Sequence, residues 1–250
     1  MRAVAGRLAS KALVTGRALR WLLRPPSSAL HLEWTALVDA QEDERHPASA
    51  ELFELAIQAA SRAKDVDLST LARGRDDAGR LLNLWPGEHY RFLAAMVAIV
   101  QPLLVVEVGT STGLGALAMA SALGPAGRLV TFDIVPWRTL PDNLLCDADF
   151  VTIEQRLGDL SDDEVFASNA DVLARADLVF VDGPKDGRFE PLLHRRLKET
   201  LQPGALVVYD DIRLLTMVEL WRSIRDPKFD ATSLGHWTGT GLVRFESPSR

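Results

Sequence analysis

The chain has 250 residues, 47% of them apolar, and a net charge of −6, which suits one main α/β domain with its own core and a small extension. The acidic balance argues against a nucleic-acid-binding surface and for small-molecule chemistry. A lone cysteine, Cys146, excludes an intrachain disulfide framework and a cysteine-based zinc site and points to a reducing, cytoplasmic setting; no apolar run approaches the roughly 20 residues that span a bilayer.

Met1 to Leu32 contains no acidic residue and spreads Arg2, Arg7, Lys11, Arg17, Arg20 and Arg24 among Val4, Leu8, Leu13, Val14, Leu19, Leu22 and Leu23. This predicts a basic amphipathic helix that stops at Pro25-Pro26. Targeting, a membrane surface, packing on the domain or on a partner subunit, and a frayed tail are all open to it, with packing favoured. A second short helix, residues 31–41, and the charged break QEDERHP complete an N-terminal extension over residues 1–47, leaving 48–250 as the main domain. There the pattern predicts a helix over 48–63, a polar loop or lid over 61–80, and a helix over 90–100 that ends at Gln101-Pro102.

The stretch LLVVEVGTSTGLG, Leu103 to Gly115, reads as a buried strand broken only by Glu107, then a turn opened by Gly109, Gly113 and Gly115 into an alanine-rich helix over 116–123. Such a turn brings backbone N–H groups and a helix N-terminus up to a nucleotide-like ligand. Further strands are expected over 128–133, 150–154, 177–182 and 205–210, with helices over 162–174 and 188–201. Strands alternating with helices mean a Rossmann-like, doubly wound α/β sheet with right-handed crossovers. A helix over 214–224 and two strands over 231–237 and 241–245 close it as an antiparallel hairpin, for seven strands, mostly parallel, with the last antiparallel.

Ligands of a parallel sheet bind beyond the carboxyl ends of its strands, and this chain ends its strands with acids. Asp133, about twenty residues past the glycine turn, can accept the hydroxyls of a ribose, and Asp159, after Gly158, can sit near the base of the same nucleotide. Asp182 closes the fourth strand and Asp210 with Asp211 the fifth. Three converging carboxylates repel one another unless a cation lies among them, and hard oxygen ligands select Mg²⁺, Mn²⁺ or Ca²⁺. Taken singly, each acid could equally cap a helix or a turn.

With these motifs in view the sequence resembles the class I S-adenosylmethionine-dependent methyltransferases, and among them the metal-dependent O-methyltransferases similar to the catechol and caffeoyl-CoA enzymes. The resemblance covers roughly Pro86 to Phe245 and rests on VEVGTSTGLGALAMA, TFD, the GD of Gly158-Asp159, FVDGPKDGR and VVYDD. It implies S-adenosylmethionine held by Glu88, Glu107, Gly109, Thr110, Ser111, Gly113, Asp133, Gly158, Asp159 and Asp182. It also implies a Mg²⁺-type cation on Asp182, Asp210 and Asp211, and Lys185 as general base. His89 is a further candidate near the methionine end. The family's commonest last metal ligand is Asn, whereas Asp211 stands here, as in some sugar and antibiotic-tailoring relatives. The turn His236-Trp237-Thr238 should lie on the same face, with His236 as an auxiliary base and Trp237 as a pocket wall; Trp137 is a candidate to cover the adenine.

Methyl transfer to a hydroxyl needs an alkoxide or phenolate, which a divalent cation supplies by lowering the hydroxyl pKa. A nearby cation and partial burial are expected to lower the pKa of Lys185 as well. The expected activity is therefore methyl transfer to a small polyhydroxylated acceptor, either a catechol-like phenol or a natural-product sugar, by a chain that dimerises through its N-terminal helices. An NAD(P)-dependent oxidoreductase and a non-catalytic cofactor-binding scaffold are the rival readings.

Overall fold

A computed structural model describes residues 49–82 and 88–246. The predicted N-terminal extension, with the dimerisation expected of it, and the Pro86-Gly87 turn lie outside the described residues. Helix α1 (Ala50–Ala63) is capped by Ser49, whose hydroxyl accepts from Leu52 N–H, satisfying one of the free donors of the first turn. Helices α2 (Asp76–Leu82) and α3 (His89–Val100) follow, then the alternating series that builds the sheet: β1 (Leu104–Val108), α4 (Leu114–Ala120), β2 (Arg128–Asp133), β3 (Ile153–Leu157), α5 (Asp163–Ala174), β4 (Leu178–Val181), α6 (Phe189–Thr200), β5 (Leu206–Asp210), α7 (Leu215–Ser223), β6 (Lys228–Asp230) and β7 (Thr240–Arg244).

The seven strands lie in the order β3-β2-β1-β4-β5-β7-β6, with β7 antiparallel to both of its neighbours and the pairs from β3 to β5 parallel. Successive residues of each central strand face opposite layers. Val105, Leu129, Leu178, Phe180 and Val208 pack with α1, α3 and α4 on one side, while Val106, Val130, Val179, Val207 and Tyr209 pack with α5, α6 and α7 on the other. The order reverses at β1, so the crevice between β1 and β2 on one side and β4 on the other opens at the carboxyl ends of these strands. No described helix is long and apolar enough to cross a membrane.

Three expectations shift. Residues 61–80 are no loose lid: a 3-10 turn over Ser69–Ala72 and helix α2 bury Leu68, Ala72, Ala78 and Leu82 in the core, and Arg73 pairs with Asp149 at 2.7 Å. The third strand begins at Ile153 rather than 150, because Asp149 accepts from Cys146 N–H and winds residues 147–151 into a 3-10 turn. The penultimate strand is Lys228–Asp230, not 231–237. Asp230 Oδ1 accepts from Thr232 N–H, a local turn that ends the strand, and Ala231 O then accepts from both Leu234 and Gly235 N–H.

Candidate active site

The turn after β1 is held from beneath by a chain of polar side chains. Gln155 donates to Thr110, Thr110 to Thr131, and Thr131 to Glu107, with contacts of 3.1, 2.8 and 2.6 Å. Glu107 is fully buried, and burial pushes its carboxyl well above the usual range. Gly115 is required beside it, since a Cβ there would sit 2.3 Å from Glu107 Oε1. Glu107 and Thr110 therefore support the loop from beneath. Above them Ser111, at φ +44, donates its N–H to Asp133 Oδ2 at 2.9 Å, and Val135 N–H donates to Asp133 Oδ1.

Gly109, Ser111, Asp133, Gly158, Asp159 and Asp182 share the lining of one cleft of about 440 Å³, within the size range of small-molecule sites. Gly113 shapes the turn at φ +84. Ile134 and Leu160 supply apolar walls next to Asp133 and Asp159, whereas Trp137 stacks on Phe150 at 5.0 Å and does not line the cleft. Glu88 also lies off the cleft lining: at the start of α3 it accepts from Arg91 at 3.0 Å.

Because β4 and β5 are neighbours in register, their ends bring Asp182, Asp210 and Asp211 together, with one oxygen of each within 4.8 Å of the others. Lys185 Nζ lies among them, hydrogen-bonded to Asp182, 3.0 Å from Asp211 and 3.9 Å from Asp210. Its backbone, at φ +52, is pinned by Glu190, which accepts from Lys185 N–H at 2.6 Å, and by Thr216, which donates to Lys185 O at 2.8 Å. Burial alone would lower the lysine pKa, but the three carboxylates outweigh it and hold the ammonium above its ordinary value. The expected lowering presumes a divalent cation beside the lysine; with only the three carboxylates around it, the ammonium is held up. Burial pushes Asp182 up against the pull of Lys185, and burial with the charges of Asp182 and Asp211 pushes Asp210 far up. Asp211, although partly buried, is held below the ordinary range by hydrogen bonding to His236 and by Lys185.

A second group meets the first at Asp210. His89 Nδ1 and His236 Nδ1 each lie 3.8 Å from Asp210 Oδ1, and the two rings are 4.7 Å apart. Burial, reinforced by the charge of His236, lowers the pKa of His89 to about 3, so its imidazole is neutral. Thr238, with no role assigned from the sequence, donates to Asp211 and touches His236 Nδ1. Glu190 was equally silent in the sequence; an acid in a first helical turn reads as a helix-dipole partner, which hides its hold on Lys185. Trp237 is 42% exposed beside His236, on the open face of the cluster.

The strand order and the cleft at its reversal form a Rossmann-like scaffold similar to that of class I methyltransferases. Residues 106–212 match the sequence model of a family described as a methyltransferase domain. In structure the chain is similar to the O-methyltransferase from Bacillus cereus in complex with SAH (TM-score 0.52, 17% identity, covering 76% of this chain and 100% of that one). It is also similar to a methyltransferase from Geobacter sulfurreducens (0.51, 21%, 73% and 91%) and to the SAH-bound Podospora anserina methyltransferase PaMTH1 (0.51, 13%, 77% and 88%). At these identities the likeness carries the fold. No curated protein sequence matches the chain.

Proposed function

We propose that the chain transfers a methyl group from S-adenosylmethionine to a hydroxyl of a small polyhydroxylated acceptor, a catechol-like phenol or a natural-product sugar, with a divalent cation assisting. The observation that carries this reading is Asp182, which lines the cleft and is also one of the three clustered carboxylates. A cofactor in the cleft and an acceptor at the cluster then share a boundary, as an in-line transfer between them requires.

In this reading Asp133 accepts the ribose hydroxyls, the Gly109–Gly113 turn lies against the cofactor, and Gly158 and Asp159 border the adenine. Glu107 and Thr110 act through the loop they support. Asp182, Asp210 and Asp211 would hold the cation. The fit is supported by the Lys185 ammonium, which already stands as a cation among the three acids. A bound divalent ion supplies chelation of adjacent hydroxyls and a lower hydroxyl pKa. Lys185 and His236 flank the same carboxylates from opposite sides and are the proposed groups for moving the hydroxyl proton. Thr238 fixes the His236 ring relative to Asp211.

Calorimetric titration of S-adenosylhomocysteine, with a divalent cation or with a chelator and against a panel of catechols and sugars, tests the reading. Cofactor-product binding, with acceptor binding that requires the cation, is the expected outcome. Absence of S-adenosylhomocysteine binding together with a response to NAD(H) would overturn it in favour of an oxidoreductase.

A further inference from the structure

Asp210 presents its two oxygens to different surroundings. Oδ2 faces the Lys185 ammonium, 3.9 Å away, within the group that also holds Asp182 and Asp211. Oδ1 faces His89 and His236, 3.8 Å from each Nδ1. Although the Asp210 side chain is only 7% exposed, this oxygen has no hydrogen-bond partner. A buried acceptor left without a donor is destabilising, and 3.8 Å is too long for either imidazole to relieve it.

The same distances suit coordination. With metal–ligand bonds of about 2.0–2.2 Å, the ligand atoms of a tetrahedral site stand about 3.4 Å apart, and ligand atoms of His89, Asp210 and His236 all fall within 4.8 Å of one another. We propose that His89, Asp210 and His236 bind a transition-metal ion of the manganese-to-zinc series, at a mixed nitrogen and oxygen site on the Oδ1 side of Asp210, distinct from the three-carboxylate site.

Three observations bear on it independently. Two imidazoles beside one carboxylate favour borderline metals over Mg²⁺, which prefers oxygen and retains its water. Lys185 faces Oδ2 of Asp210, so an ion at Oδ1 lies on the other side of the carboxylate and leaves the Lys185 contacts with all three acids in place. The His89 ring is fixed before any ion arrives, packed 4.6 Å from Tyr90 and 6.1 Å from Phe180. His236 Nδ1 gives up its contact with Thr238 on binding, while Thr238 keeps Asp211 as acceptor. Three protein ligands leave coordination positions open. That acceptor oxygens take these positions rests on the methyl-transfer reading, but ion binding does not.

The full chain, stripped of metal with a chelator and dialysed, is titrated with Zn²⁺ by calorimetry and with Co²⁺ followed by visible absorption. Binding of a single equivalent, with a Co²⁺ ligand-field band that persists in millimolar Mg²⁺ and in Asp182→Asn, is the expected result. His89→Gln and His236→Ala should each weaken it at least about tenfold. Urea melts establish that the variants fold, and the Mg²⁺ competition is read on the unaltered chain, so the result stands without them. Failure to bind Co²⁺ stoichiometrically, its displacement by Mg²⁺, or a loss confined to Asp182→Asn would overturn the proposal. S-adenosylhomocysteine titrated into the same samples separates the two readings. Its binding without Co²⁺ binding defeats the metal site alone, and Co²⁺ binding without it defeats methyl transfer alone.

Discussion

Gly109→Ala tests whether the end of β4 is built into the cleft. Gly109 has φ +104, and a Cβ on it would lie 2.1 Å from the carbonyl oxygen of Asp182 and 3.0 Å from its carbonyl carbon, far inside the usual contact range of about 3.5 Å. Neither partner can turn aside. The obstructing atoms are backbone, and Asp182 N–H donates to Val108 O at 2.8 Å, tying the two strand ends together. A left-handed backbone costs an L-residue about 1–2 kcal/mol, and overpacking at a rigid contact adds about 1–3 kcal/mol. The sum is a loss of about 2–5 kcal/mol, visible as a lower urea midpoint at unchanged slope. Relief of the contact must move Asp182, which lines the cleft, so S-adenosylhomocysteine affinity at a temperature where the variant is folded should fall at least about tenfold, or 1.4 kcal/mol. An unchanged midpoint would refute the close approach. A lower midpoint with full affinity would refute the link from Asp182 to the cofactor.

Asp133→Ala should weaken S-adenosylhomocysteine binding by about 1.5–3 kcal/mol, the range for a hydrogen bond to a charged group; unchanged affinity by calorimetry removes Asp133 from the site. Lys185→Met takes the ammonium from three clustered carboxylates, of which Asp210 is buried, and should lower metal-free stability by about 3 kcal/mol, with recovery on adding a divalent cation; identical melts with and without the cation would contradict this. His194 is partly buried against Tyr209, its ring 2.7 Å from the hydroxyl, and desolvation lowers its pKa from 6.5 to about 4. As pH falls through 6.5 the unfolded chain takes up this proton first. Stability present above pH 6.5 is therefore lost toward pH 4, by at most about 3 kcal/mol. His194→Gln should flatten the denaturation midpoint against pH over that window, and an unaltered slope would rule the histidine out.

What the sequence made legible follows from which signals are local. A run of apolar residues ending in an acid marks both a buried strand and the point where its chain emerges, so β1, β2, β4 and β5 were readable, and Asp133, Asp182 and Asp210 with them. Their convergence then needed only the neighbouring placement of β4 and β5. Signals that depend on side chains reaching across the chain were not readable. Asp230 looks like one more polar residue until its turn ends β6, and Asp149 until it closes on Cys146. Ser69 to Leu82 looked polar because only four small or apolar positions, Ala72, Ala78 and Leu82 with Leu68 before them, anchor it. His89 meets Asp210 through the packing of α3 against the sheet, more than a hundred residues away in sequence, and no spacing announces such a pair.

The carboxylate cluster makes sense only as a charge problem solved more than once. Asp182, Asp210 and Asp211 are brought together by the sheet itself, since the strand order leaves β4 and β5 side by side and both end in acid. Without compensation two of them would favour the protonated form, which is the direction in which Asp182 and Asp210 are pushed. Lys185 compensates one side, fixed there by Glu190 and Thr216 through its main chain. That arrangement leaves Asp210 Oδ1 uncompensated on the other side, facing two imidazoles that are too distant to donate to it. A chain that needed only structural neutrality would be served by a donor at that position. An acceptor kept open between two histidines, at the border of a cofactor-sized cleft, is instead what a site for an exchangeable cation and its bound oxygen ligands requires.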